Sequence, residues 1–173
     1  MIVNKITDLF GKTPLLRIKM KNNKWQVYLK LEKFNPGGSM KDRMAYNMIE
    51  MAEKEGKIKP GGTIIESSSG NTAIGLAIVS AIKGYKFIAV VDHHASKEKI
   101  DMIKAYGGQI VIVGDGYKDN EVAVVEREKT AARMSKEIPN SFFPNQADNY
   151  NNRGAYIDTL AKELLDELGK IDS

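Results

Sequence analysis

The sequence predicts an α/β fold: a mainly parallel sheet covered by helices on both faces. Three observations carry that prediction. From Thr63 onward, short apolar runs alternate with helical stretches of about ten residues or more, the pattern of right-handed βαβ crossovers. Turns rich in glycine and proline, Asn35-Pro36-Gly37-Gly38-Ser39 and Pro60-Gly61-Gly62, separate the units. No internal repeat or low-complexity tract interrupts the series.

Taken in order, the apolar runs Leu15 to Ile18 and Val27 to Leu31 flank a polar stretch and read as paired strands. The first glycine turn opens a helix from about Met40 to Glu55, whose buried face is supplied by Met44, Met48, Ile49, Met51 and Ala52. Strand Thr63 to Glu66, helix Asn71 to Lys83 and strand Lys86 to Val91 follow, then helix Lys97 to Tyr106 and strand Gln109 to Val113. Helix Asn120 to Glu137, a short strand near Phe142-Phe143, and helix Asn151 to Leu168 complete the chain. Trp25 and Tyr28 are expected to be packing residues.

Composition narrows the function classes. The 173 residues are 42% apolar and 28% charged, enough for one sizeable core. The net charge of +4, from 26 basic and 22 acidic residues, is spread without a run of five like charges, so no nucleic-acid patch is expected. The absence of cysteine excludes a disulfide framework and a thiolate metal site. His93 and His94 are neighbours on a strand end, point apart and have no third histidine, so no metal is expected there. With neither a signal-like apolar region at the start nor a run of eighteen apolar residues, the chain reads as cytoplasmic, away from membranes.

Two loops carry chemistry, and both fall at the carboxyl edge of the sheet, where ligands bind in such folds. Ser67-Ser68-Ser69-Gly70-Asn71-Thr72 joins a buried strand to a helix, so backbone N–H groups and hydroxyls converge at a positive helix end suited to an anion. A serine-rich N-cap accounts for the same residues about as well. Asn35 to Arg43 places Lys41 in the first turn of a helix, where the macrodipole disfavours a cation. Schiff-base chemistry needs a free amine, since only that form attacks an aldehyde.

Asn35-Pro36-Gly37-Gly38-Ser39-Met40-Lys41-Asp42-Arg43 resembles the lysine motif of the cysteine synthase and cystathionine β-synthase family, pyridoxal-phosphate enzymes of fold type II. Ser69-Gly70-Asn71-Thr72 is similar to the second signature of that family. Gly11 to Leu15, Lys59 to Glu66 and Lys104 to Gly108 match as well, in family order, so the resemblance runs from Thr13 to Gln146.

The resemblance implies three-layer parallel-sheet domains with the second domain incomplete. Residues 13–34 would pack with a carboxyl-terminal cofactor domain, residues 35–145 would form the small domain, and 146–173 would begin the second. Lys41 would be the catalytic lysine that holds pyridoxal 5'-phosphate, and Asn71 would bond the ring hydroxyl of the cofactor. Ser68, Ser69, Gly70, Asn71, Thr72 and Gln146 would bind the amino-acid substrate. The implied reaction is β-replacement or β-elimination on a serine- or cysteine-like amino acid through an aminoacrylate, in a homodimer when full length. The third signature of the family, which cradles the cofactor phosphate, is expected beyond Ser173. Ser68, Ala147 and Thr159 to Glu163 depart from the usual family residues and leave the donor open. The competing reading is a truncated, inactive remnant that serves as a folding or interaction module.

Overall fold

The computed structural model describes residues 2–21, 25–114 and 123–171. Strands β1 (Leu15–Ile18) and β2 (Val27–Lys30) pair antiparallel, with Leu16 opposite Leu29 and Ile18 opposite Val27. That pairing puts four apolar side chains on one face. Nothing covers the face fully: Leu16 is 47% and Leu29 48% exposed, and Trp25 beside it is 70% exposed. The expectation that Trp25 packs is therefore corrected. A two-stranded ribbon has no second layer of its own to close over an indole.

Helix α1 (Lys41–Lys54) buries Met44, Met48, Ile49 and Ala52, the stripe that its helical spacing predicts. Met51, expected on that stripe, lies at its rim and is half-buried. Strand β3 (Thr63–Ser67) is buried along its whole length and leads into α2 (Asn71–Lys83), where Thr72 to Ser80 are all buried. A helix apolar all round must be covered on every side. The sheet lies against one flank of α2, and α1 against the other. Gly84, at φ +73, ends α2 by returning its N–H to the carbonyl of Ser80.

Strands β4 (Lys86–Val91), β5 (Gln109–Ile112) and β6 (Ser141–Phe142) join β3 in a parallel sheet of order β5-β4-β3-β6. Helix α3 (Lys97–Ala105) links β4 to β5. Alternate residues go to opposite faces: Ile64, Phe87 and Ala89 join the core under α1 and α2. Ile65, Ile88 and Val90 pack against Ala131 and Met134 of α4 (Val124–Glu137). Helices thus cover both faces, as the alternation predicts. The expected start of α4 at Asn120 lies outside the described residues.

The last helical stretch departs from the expected continuous helix. Helix α5 (Tyr150–Ala155) runs into a π turn (Tyr156–Ala161) and then into α6 (Lys162–Leu168). Helix α5 packs on α1, where Asn47 Nδ2 donates to the carbonyl of Asn151 at 2.8 Å. One guanidinium ties the amino-terminal ribbon, α1 and α6 together. Arg43, with 1% of its side chain exposed, donates to both Glu32 oxygens at 2.8 Å and to Glu163 at 2.6 and 2.8 Å. Burial alone would push Glu163 up, but bonds from Arg43, Lys12 and Lys30 outweigh it and hold this carboxyl down at about 2. Among the described residues, no helix is long and apolar enough to cross a membrane.

Candidate active site

The glycine turn before α1 folds back onto the helix it precedes. The Gly37 N–H donates to Asp42 Oδ2 at 2.5 Å, and the Lys41 N–H donates to Ser39 Oγ at 3.1 Å. A Cβ on Gly37 would sit 2.3 Å from Asp42 Oδ1, so only glycine fits. Asp42 is fully buried, and burial pushes its carboxyl up to about 6 against the pull of the Gly37 N–H. Lys41 is the first residue of α1 and half-buried. Its Nζ lies 5.7 Å from the ring centroid of Tyr156, in the π turn.

Gly75 lets α2 approach that turn. A Cβ there would be 3.1 Å from both Ala45 Cβ and the Lys41 carbonyl. Asn71 stands one turn earlier on the same face of α2.

The second loop joins β3 to α2. Gly70 is the N-cap of α2 and no side chain caps the helix. Ser68 Oγ accepts from the Gly70 N–H at 3.2 Å instead. The first-turn N–H groups thus lack a capping side chain, which leaves them for an anion. Thr72 Oγ1 donates to Gln146 Oε1 at 2.6 Å, so the two sequence-predicted jaws do meet. That bond uses the Gln146 Oε1 as acceptor, so the donors of this side chain are those of its NH2. Ser69 leans to the other side, where its Oγ accepts from Arg127 Nη1 at 3.4 Å.

Sequence reasoning missed three side chains here. Glu66, 1% exposed, accepts from the Ser67 N–H at 2.8 Å and from the Gln146 N–H at 3.2 Å, clamping both jaws. A carboxylate ending a wholly buried strand was the available signal. The Tyr156 hydroxyl is buried without a partner, and burial pushes its phenol up to about 12, so it stays a neutral donor. Arg127 approaches from α4, too far along the chain for any local pattern to announce it. A buried unpartnered hydroxyl, a lysine on a rigid turn and an uncapped helix start suit the pyridoxal group that the resemblance implies.

Burial pushes Glu66 up to about 7, and the backbone N–H groups of Ser67, Gln146 and Asn145 only partly offset this. With its folded-state value above the ordinary 4.5, the native chain holds a proton that the unfolded chain has released. Stability therefore falls as pH rises between those values, by about 1.4 kcal/mol per pH unit at most. Asp42 acts with the same sign, but only up to about 6. Glu66→Gln is expected to flatten the stability profile between pH 6 and 7 in urea titrations. A variant with the wild-type slope there would exclude Glu66 as its source.

Residues 6–173 match the family model described as "Pyridoxal-phosphate dependent enzyme". A probable cysteine synthase of Bacillus subtilis is 45% identical over 98% of this chain and 54% of its own length. Among solved structures, a hydrogen sulfide-producing enzyme from Fusobacterium nucleatum superimposes with a TM-score of 0.88 at 39% identity, over 98% of this chain and 54% of that one. An O-acetylserine-dependent cystathionine β-synthase from Helicobacter pylori gives 0.87 at 35%, over 98% and 55%. The chain spans about half the length of these relatives. The match over nearly the whole chain shows that it belongs to the pyridoxal-phosphate-dependent enzymes of fold type II, in the cysteine synthase and cystathionine β-synthase family.

Proposed function

We propose that this chain supplies the lysine and the substrate-carboxylate wall of an enzyme that replaces or eliminates the β-substituent of a serine- or cysteine-like amino acid. The observation that carries the reading is the Thr72–Gln146 bond at 2.6 Å across an uncapped helix start. First-turn N–H groups of α2, the Ser69 hydroxyl and the Gln146 amide are the donors, and Thr72, whose own O–H goes to Gln146 Oε1, holds that amide in place. Ser68 holds Gly70 in place for them. A carboxylate bound by these donors draws the two loops together and excludes water from the Lys41 side.

Pyridoxal 5'-phosphate, when bound through Lys41, supplies the electron sink that makes the α-hydrogen acidic. Asn71, at the first turn of α2, would bond the ring hydroxyl, as the resemblance implies. The Lys41 amine is the group that takes and returns the α-proton. The apolar ribbon face, Leu16, Ile18, Val27 and Leu29, would pack with a cofactor domain that follows residues 146–173, in a homodimer.

Ser69→Ala and Thr72→Ala each remove one donor or its support, worth about 1.5 to 3 kcal/mol, so amino-acid binding is expected to weaken about 10- to 150-fold. Gln146→Ala should do the same. The absorbance of the bound cofactor should remain. If the Ser69 and Thr72 variants lost cofactor yet bound amino acid normally once cofactor was saturating, the loop would be a phosphate site and the reading would be wrong.

A further inference from the structure

Arg127 is half-buried, with 13% of its side chain exposed, and its pairing is unlike that of Arg43. Arg43 meets two carboxylates through short, forked bonds. Arg127 reaches Asp92 Oδ2 only at 3.4 Å, from a single nitrogen, although Asp92 is 1% exposed and that oxygen has no hydrogen bond. The other Asp92 oxygen accepts from the His94 N–H at 3.1 Å. If Arg127 served only to neutralise Asp92, a forked geometry like that of Arg43 would be far stronger. Its Nη1 instead divides between Asp92 and Ser69 Oγ, also at 3.4 Å, and its Nε is buried without a partner.

A second cation stands close by. A Cβ on Gly70 would lie 3.9 Å from Lys99 Nζ, which belongs to the first turn of α3. Lys99 and Arg127, from two helices, therefore flank the Ser69–Gly70 corner, while α2 adds its positive end. One α-carboxylate does not need this much positive charge, since the helix start, the Ser69 hydroxyl and the Gln146 amide already serve it.

Resting on the function proposed above, we infer that Arg127, with Lys99 beside it, reads a second anionic group, a phosphate or carboxylate carried by the β-substituent of the donor or by the incoming nucleophile. Asp92 is the buried anchor that fixes the guanidinium at this corner. Arg127 is a specificity residue, and the uncharged analogue of the same amino acid gains nothing from it.

The test uses the cofactor-loaded protein and follows the cofactor absorbance on titration with O-phospho-L-serine and O-acetyl-L-serine. Wild type should favour the phosphate ester, and Arg127→Met should lower that preference by about 10- to 100-fold, as expected for losing a charge-assisted contact. Arg127→Lys, which keeps the charge, should restore part of it, and affinity for the uncharged ester should fall far less than that for the phosphate ester. An anion preference confined to the second half-reaction, with mercaptoacetate over 2-mercaptoethanol and again lost in Arg127→Met, assigns the anion to the nucleophile and supports the inference equally. Equal weakening for charged and uncharged ligands means that Arg127 merely props Ser69, and overturns it. No absorbance response to any amino acid overturns the underlying function as well.

Discussion

Lys41→Ala protein is expected to retain no cofactor that borohydride can fix to the chain. In the wild type, reduction followed by peptide mapping should place the pyridoxyl label on Lys41. The reason is geometric. Lys41 is set on a turn held by the Gly37–Asp42 and Lys41–Ser39 bonds, and its side chain is half-buried between α2 and the π turn. Alanine at the first position of α1 keeps those backbone bonds and the fold. Loss of the amine also removes the proton carrier, so turnover should fall by roughly 100- to 10,000-fold or more. A label on another lysine, such as the nearby Lys99, would sink the assignment.

Arg43→Met should cost about 3 to 5 kcal/mol of stability, because it takes the shared guanidinium from the half-buried carboxylates of Glu32 and Glu163 and leaves Glu163 only Lys30. The same substitution releases the ribbon end and α6 from α1. Urea or thermal unfolding reads the loss directly. A loss below about 1 kcal/mol would place the network among surface ion pairs that contribute little. The remedy distinguishes charge from packing: Arg43→Met combined with Glu163→Gln and Glu32→Gln should recover part of the loss, since no stranded charge then remains.

Much of this could be read from the residues. The parallel sheet followed from the alternation after Thr63, and the buried stripe of α1 followed from Met44, Met48 and Ile49 at helical spacing. Both active-site loops announced themselves, because a glycine turn before a lysine and a serine run before a helix are local signals. Strand order did not, since pairing β6 beside β3 depends on contacts about 80 residues apart. Glu66, Tyr156 and Arg127 escaped for the same reason. Each matters through a neighbour distant in sequence, Gln146, Lys41 and Ser69 respectively. Trp25 was misjudged because an aromatic residue says that a surface wants cover, not that the chain itself provides it.

The π turn at Tyr156–Ala161 solves a problem of register. Each helical residue advances about 100° around the axis, and a π turn takes up one residue more than an α turn. That additional residue resets the phase between two obligations of one helix. Ala155, just before it, faces α1 and Tyr156, at its start, faces Lys41; after it, Glu163 faces Arg43. An unbroken α-helix would rotate one of these faces away. In mechanical terms the segment holds one additional residue, kept in place from both ends. Length variants here would be tolerated only where the chemistry at Lys41 and the lock at Arg43 had changed together.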